Sequence, residues 1–137
     1  MRVGTPPVIQ MASLQVALDI WKDVDLNDLR AASIKLSERF IAGVEASCPD
    51  LTLASPRDPH ARGSQVSFAF EHGYAAMQAV IDKGVIGDFR APNIMRFGFT
   101  PLYLDEADIE AAVGIIAEVM TNKIYIDAKY QTRNAVT

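Results

Sequence analysis

The stretch GVIGDFRAPNIMRFGFTPLY, residues 84–103, has too many glycines and prolines for a plain helix and too many apolar residues for a plain loop. The β-branched pair Val85-Ile86 predicts a short strand, Pro92-Asn93 a turn, and the apolar run Ile94 to Phe97 a second strand. Arg96 lies inside that second strand. Because an arginine is costly to bury without a partner, we expect an anionic group beside it.

A helix that precedes this hairpin is predicted by its start signal and its composition. Thr5 suits the N-cap, and Pro6 suits the first helical position, where its missing N–H costs nothing. The helix from Val8 to about Lys22 is apolar almost all round, so it should be buried on several sides. A small domain cannot cover it, and we therefore expect a dimer or another covering neighbour. The free N–H groups at its start suit a phosphate, with simple capping by Thr5 as the alternative.

The rest of the chain predicts a small α/β fold. The further predicted elements are a helix from Asp25 to about Cys48, strands Leu51 to Leu53 and Gln65 to Phe70, a helix from Tyr74 to Lys83, and a helix capped by Asp105. Gly84 suits the C-cap of the helix before it, and residues 128–137 are expected to fray. This order favours a small, mostly antiparallel sheet with helices packed on one face.

Composition limits the classes of function. A chain of 137 residues that is 50% hydrophobic is typical of one soluble domain. Its net charge of −4, without a basic stripe, argues against nucleic acid or an anionic membrane as partner. No apolar run reaches the ~20 residues that span a bilayer. The single cysteine, Cys48, fits a reducing cytoplasm and is interpreted as a buried small side chain.

Several kinds of reactive site are missing from the sequence. It has no glycine-rich phosphate loop, no Ser-His-acid motif and no lysine in an obviously reactive setting, so no catalytic residue is predicted. His60 is interpreted as a solvated loop residue, and His72 has no second His or Cys at a ligand spacing, so no metal site is predicted. The remaining candidates are Arg96 and the helix start at Gly4 and Thr5.

Several short segments, taken together and in order, resemble the C-terminal part of the kynureninases. They are Gly4 to Pro7, Arg62 to Gln65, Gly84-Val85 with Asp88 and Arg90, Pro92-Asn93, Arg96, and Pro101 to Tyr103. The resemblance extends from Gly4 to about Met120. It implies the C-terminal small domain of a fold-type-I pyridoxal-phosphate enzyme. That enzyme hydrolyses L-kynurenine to anthranilate and L-alanine in tryptophan degradation, as a cytoplasmic homodimer.

The resemblance also implies roles for individual residues. Arg96 matches the arginine that binds the substrate α-carboxylate, on which a guanidinium forms two charge-assisted hydrogen bonds. Gly4 and Thr5 match the segment that reaches the cofactor phosphate of the neighbouring subunit. Arg90 follows Asp88, with which it can pair, and ranks below Arg96. The Schiff-base lysine and the groups that hold the cofactor ring belong to a large domain that has no match here, so the chain is expected to be inactive alone.

The implied division is a cofactor-side segment and connecting helix (residues 1–24), a small α/β domain (25–123) and a C-terminal tail (124–137). The strip from Arg62 to Gln65 is expected to shape the substrate side. Two alternatives remain open: the small domain of another class V aminotransferase-like enzyme, such as a cysteine desulfurase-like protein, or a free-standing, non-catalytic binding module. The module predicts that Arg96 pairs with an acidic side chain inside the domain and that the chain covers its own first helix.

Overall fold

Four antiparallel strands form one sheet, and the longer helices that follow the first one pack on one of its faces. The computed structural model describes Gly4 and residues 7–132. The helices are α1 (Val8–Asp19), α2 (Leu26–Ser47), α3 (Gly73–Asp82), α4 (Glu106–Thr121) and α5 (Ala128–Gln131), and the strands are β1 (Thr52–Leu53), β2 (Gln65–Ala69), β3 (Asp88–Arg90) and β4 (Ile94–Gly98). Short 3-10 turns occur at Ile20–Asp23, Pro59–Ala61 and Ile124–Ile126.

The strand order is β1-β2-β4-β3, and every neighbouring pair is antiparallel. Successive side chains of a strand point to opposite faces, and burial follows that alternation. The buried face carries Val66, Phe68, Met95 and Phe97 and packs on α2 and α3, and α4 packs on those two helices in the same core. The opposite face carries Gln65, Ser67, Asp88, Arg90 and Arg96, and is called the open face below. The predicted fold, a small antiparallel sheet with helices on one face, is confirmed.

The helix ends follow the capping residues in the sequence. The carboxylate of Asp25 accepts hydrogen bonds from the backbone N–H groups of Asn27 and Asp28, which starts α2 as predicted. Asp105 and Asp108 form a reciprocal capping box at the start of α4. These caps satisfy donors that an uncapped helix leaves free, so the two longest helices have ends fixed by local sequence.

The core is centred on Phe40 of α2, which is 1% exposed. Its ring centroid lies 6.2 Å from that of Phe68, 5.1 Å from Phe97 and 5.2 Å from Phe99. Tilted and edge-on aromatic contacts at these distances add to the stabilisation from buried apolar area. Cys48 lies in the same core, and its burial raises the pKa of the thiol, so the prediction of a buried small side chain is confirmed.

The strand predicted at Val85-Ile86 is wrong, because those residues close α3 instead. The N–H of Val85 donates to the carbonyl of Val80, and Gly84 has a φ of +98°, a conformation suited to the predicted helix end. Ile86 is 90% exposed. The edge strand of the hairpin is β3, three residues further along the chain.

Both termini also differ from their predictions. The N-cap of α1 is Pro7, whereas Thr5 and Pro6 lie outside the described residues. At the other end, residues 128–131 form α5 rather than a frayed tail, and Tyr130 is buried. The hydroxyl of Tyr130 and the ammonium of Lys129 donate to Asp82 at 2.7 and 2.8 Å. Both hydrogen bonds lower the pKa of Asp82, and the one from Lys129 has the larger effect.

Replacing a glycine with alanine is expected to have opposite effects on the free energy of unfolding at two positions, Gly73 and Gly114. At Gly73, a Cβ atom would lie 2.9 Å from the carbonyl oxygen of Asn93, a backbone atom that cannot turn away. Gly114 is an exposed position within α4 with open space around it. We expect Gly73→Ala to lower the free energy of unfolding by about 1–3 kcal/mol, and Gly114→Ala to raise it by about 0.5–1 kcal/mol. Urea titration of both variants tests this, and equal effects would contradict the packing described.

Candidate functional site

The candidate site lies on the open face, where two arginines share one carboxylate. Arg96 of β4 stands directly opposite Asp88 of β3, and its Nη2 donates to the Oδ2 of that aspartate. The Nη2 of Arg90, two residues further along β3, lies 3.2 Å from the same oxygen. The anionic partner expected for Arg96 is therefore Asp88, and the predicted pairing of Arg90 with Asp88 is confirmed.

The cluster keeps a positive charge and unused hydrogen-bond donors. Two guanidinium groups and one carboxylate sum to one positive charge. The side chain of Arg96 is 29% exposed, and its Nε is buried without a hydrogen-bond partner. On its other side the neighbour across the sheet is Ser67, which is neutral. A small anion that reaches this face thus meets a net positive field and the partly exposed side chain of Arg96, a planar group of N–H donors.

Arg62 was expected to shape the substrate side together with the other residues of the strip from Arg62 to Gln65, but it lies elsewhere. Its side chain is 3% exposed and pairs with Glu38 on α2, on the helical side of the sheet. It also donates to the carbonyls of Pro56 and Arg57 and to the hydroxyl of Ser37. Arg62 therefore holds the loop before β2 against α2, and only Gln65 of the strip lies on the open face.

The second predicted site lies at the start of α1, where the structure describes Gly4 and Pro7. Gly4 has a φ of +93°, in the left-handed region that favours glycine, and nothing lies within 4 Å of where its Cβ would be. Pro7 provides no side-chain cap, so the first N–H groups of α1 remain available to an anion. This donor set fits a phosphate group. Thr5 lies outside the described residues, and the structure records no contact between Gly4 and the arginine cluster.

The histidines lie away from the arginine cluster. His60 is exposed in the 3-10 turn of the loop before β2, as predicted. His72 stacks on Tyr125, with ring centroids 5.8 Å apart, at the end of the domain formed by α3 and the C-terminal turns. Within Gly4 and residues 7–132, no group of three His, Cys, Asp or Glu side chains is arranged to hold a metal ion.

Sequence comparison decides the family. The family described as the kynureninase C-terminal domain matches residues 29–116, which include the whole sheet and most of α2 and α4. The chain belongs to this family. The kynureninase of Pseudomonas fluorescens is 45% identical over 136 residues, which is 98% of this chain and 33% of that protein. Kynureninases of Burkholderia mallei (strain SAVP1) and Burkholderia pseudomallei (strain K96243) are 42% identical over the same lengths.

This kynureninase C-terminal domain spans about a third of the length of the curated kynureninases it matches. A solved structure of a NifS-like protein has the same fold, with a TM-score of 0.72 over 88% of this chain and 36% of that one, at 17% identity. The predicted small-domain fold is thus confirmed. In the part of the chain that the structure describes, no helix has the length and apolar character needed to cross a membrane.

Two observations bear on whether the chain is a free-standing binding module, and one favours that alternative while the other opposes it. Arg96 does pair with an acidic side chain inside the kynureninase C-terminal domain, as a module predicts. However, every residue of α1 is exposed, including Ile9, Leu14 and Val16. An apolar helix left uncovered by its own chain is typical of a part that packs against something else.

Proposed function

We propose that this chain is the C-terminal part of a pyridoxal-phosphate-dependent kynureninase, which hydrolyses L-kynurenine to anthranilate and L-alanine. The observation that carries the proposal is Arg96 on the open face of a domain of this family, in a cluster with a net positive charge. In this proposal the chain supplies substrate binding, and the reactive lysine comes from a large domain.

The proposed role of Arg96 is to bind the α-carboxylate of the amino-acid substrate. A guanidinium presents donors in a fixed plane, so two parallel hydrogen bonds set the direction of the carboxylate as well as its position. Pyridoxal phosphate, when bound, supplies an electron-withdrawing ring that stabilises negative charge on the substrate, and this requires the scissile bond to be aligned with the ring. Arg96 would contribute that alignment by fixing one end of the substrate.

The proposed role of Gly4 and Thr5 is to bind the phosphate of the cofactor in a neighbouring subunit. The free N–H groups and the positive dipole end of α1 support it, because both favour an anion at this end of a helix. This role requires a homodimer in which α1 lies near the partner's site. The dimer and a cytoplasmic location are parts of the same proposal.

A chimeric enzyme tests the proposal. The aligned C-terminal third of the Pseudomonas fluorescens kynureninase would be replaced by this chain, and anthranilate release from L-kynurenine would be followed by fluorescence. We expect hydrolysis by the chimera and none by the N-terminal two thirds alone or by this chain alone. A folded chimera that binds pyridoxal phosphate but releases no anthranilate would contradict the proposed function.

A further inference from the structure

The carboxylate of Asp88 lies at the centre of the arginine cluster, where it pairs with both Arg90 and Arg96. We propose that Asp88 is a positioning residue, which holds the Arg96 guanidinium in one orientation on the open face so that its remaining donors meet the substrate carboxylate. This inference rests on the proposed function of Arg96.

Asp88 is well placed to hold its partner because the residues on both sides of it pack against α3. A Cβ at the preceding Gly87 would lie 2.6 Å from the sulfur of Met77, so the strand lies directly against α3 there. The following residue, Phe89, packs edge-on against Tyr74, with ring centroids 5.6 Å apart. The carboxylate is therefore presented from a strand that is packed against α3, directly across from Arg96.

An unpaired arginine on this face would be mobile. Its long side chain has many rotamers, and ordering them on binding costs free energy that weakens the complex. The bond from Nη2 to Asp88 restricts that freedom before the substrate arrives. It uses one of the two N–H donors of Nη2 and leaves the other one, together with both donors of Nη1, for an incoming carboxylate.

Arg90 keeps this arrangement compatible with anion binding. Without Arg90, the ion pair formed by Asp88 and Arg96 would have no net charge and would not attract a carboxylate over a distance. The second guanidinium, 3.2 Å from the same oxygen, restores one positive charge. Its side chain is 64% exposed, so its effect is long-range and sensitive to salt rather than a strong local contact.

Nuclear magnetic resonance of the isolated chain tests the positioning directly. Restricted rotation of a guanidinium separates its two Nη signals, and free rotation averages them. We expect separate Nη signals for Arg96 in the wild-type chain and averaged signals in Asp88→Asn. The control is Glu118→Gln, which removes an ion pair to Lys83 on the helical side, and we expect the Arg96 signals to stay separate in that variant. Separate signals in Asp88→Asn would overturn the proposal.

Kinetics in the chimeric enzyme test the consequence. We expect Asp88→Asn to raise the KM for L-kynurenine by about 3- to 10-fold with kcat within about twofold, because a pre-ordered arginine strengthens binding before reaction. A KM that is unchanged or lower would overturn positioning, and a lower value would show that Asp88 competes with the substrate. If the wild-type chimera is inactive, the proposed function fails, while the resonance experiment still decides whether Asp88 orders Arg96.

Discussion

Replacing Arg96 with lysine in the chimeric enzyme is expected to lower kcat/KM for L-kynurenine on the order of 100-fold. Lysine keeps the charge but loses the planar pair of donors, and a hydrogen bond to a charged group contributes about 1.5–3 kcal/mol. Each ~1.4 kcal/mol corresponds to a tenfold change. The loss is expected mainly in KM, with a smaller loss in kcat from poorer alignment.

The matched control for this variant is Arg90→Lys, the same change two positions along the neighbouring strand. Arg90 is more exposed than Arg96, and its guanidinium lies 3.2 Å from the shared oxygen of Asp88. We expect its kcat/KM to fall by less than about fivefold, since exposed pairs contribute little. Equally small losses in the two variants would mean that the open face acts through its charge alone, because both substitutions keep that charge. In that case Arg96 would have no special contact with the substrate.

Removal of residues 1–19 is expected to abolish self-association while leaving the domain folded. The side chains of α1 expose a continuous apolar surface to solvent, formed by Val8, Ile9, Met11, Leu14, Val16 and Leu18. Such a surface drives association in water. The main contacts of α1 are with the 3-10 turn that follows it in the chain. Removing α1 therefore removes few contacts from the core.

Sedimentation and thermal unfolding together test this prediction. The full chain should form dimers or larger species at high concentration, and the shortened chain should sediment as a monomer with a Tm within about 3 °C of the full chain. The matched control is the full chain with Ile9, Leu14 and Val16 changed to glutamate, which keeps the length but removes the apolar surface. A full chain that stays monomeric at high concentration would contradict the prediction.

The parts of the fold that the sequence predicts correctly depend on neighbours in the chain. Asp25 and Asp105 cap the helices that begin at the next residue, and Val66 and Phe68 define a buried strand face by simple alternation. These signals need no knowledge of distant partners. The predicted strand at Val85-Ile86 failed because its residues, although β-branched, are used to close α3, and periodicity alone does not reveal that competition.

The parts that the sequence misses depend on register and on distant contacts. Asp88 stands opposite Arg96 only because the turn is centred on Pro92, and a strand placed at Val85 would have given another register. The helix at residues 128–131 has a local N-cap in Asp127, but its side chains are held by Asp82, more than forty positions earlier, and that contact cannot be predicted from neighbouring residues. The role of Arg62 as a clamp on α2 is hidden for the same reason.

The alternation along β4 has an evolutionary consequence. Met95 and Phe97 are committed to the core, whereas Arg96 between them contributes to the opposite surface. A lineage can therefore alter the chemistry that this strand presents to a ligand, one residue at a time, without disturbing the interior that keeps the domain folded. Relatives with a similar core and different preferences are the expected outcome of such a division.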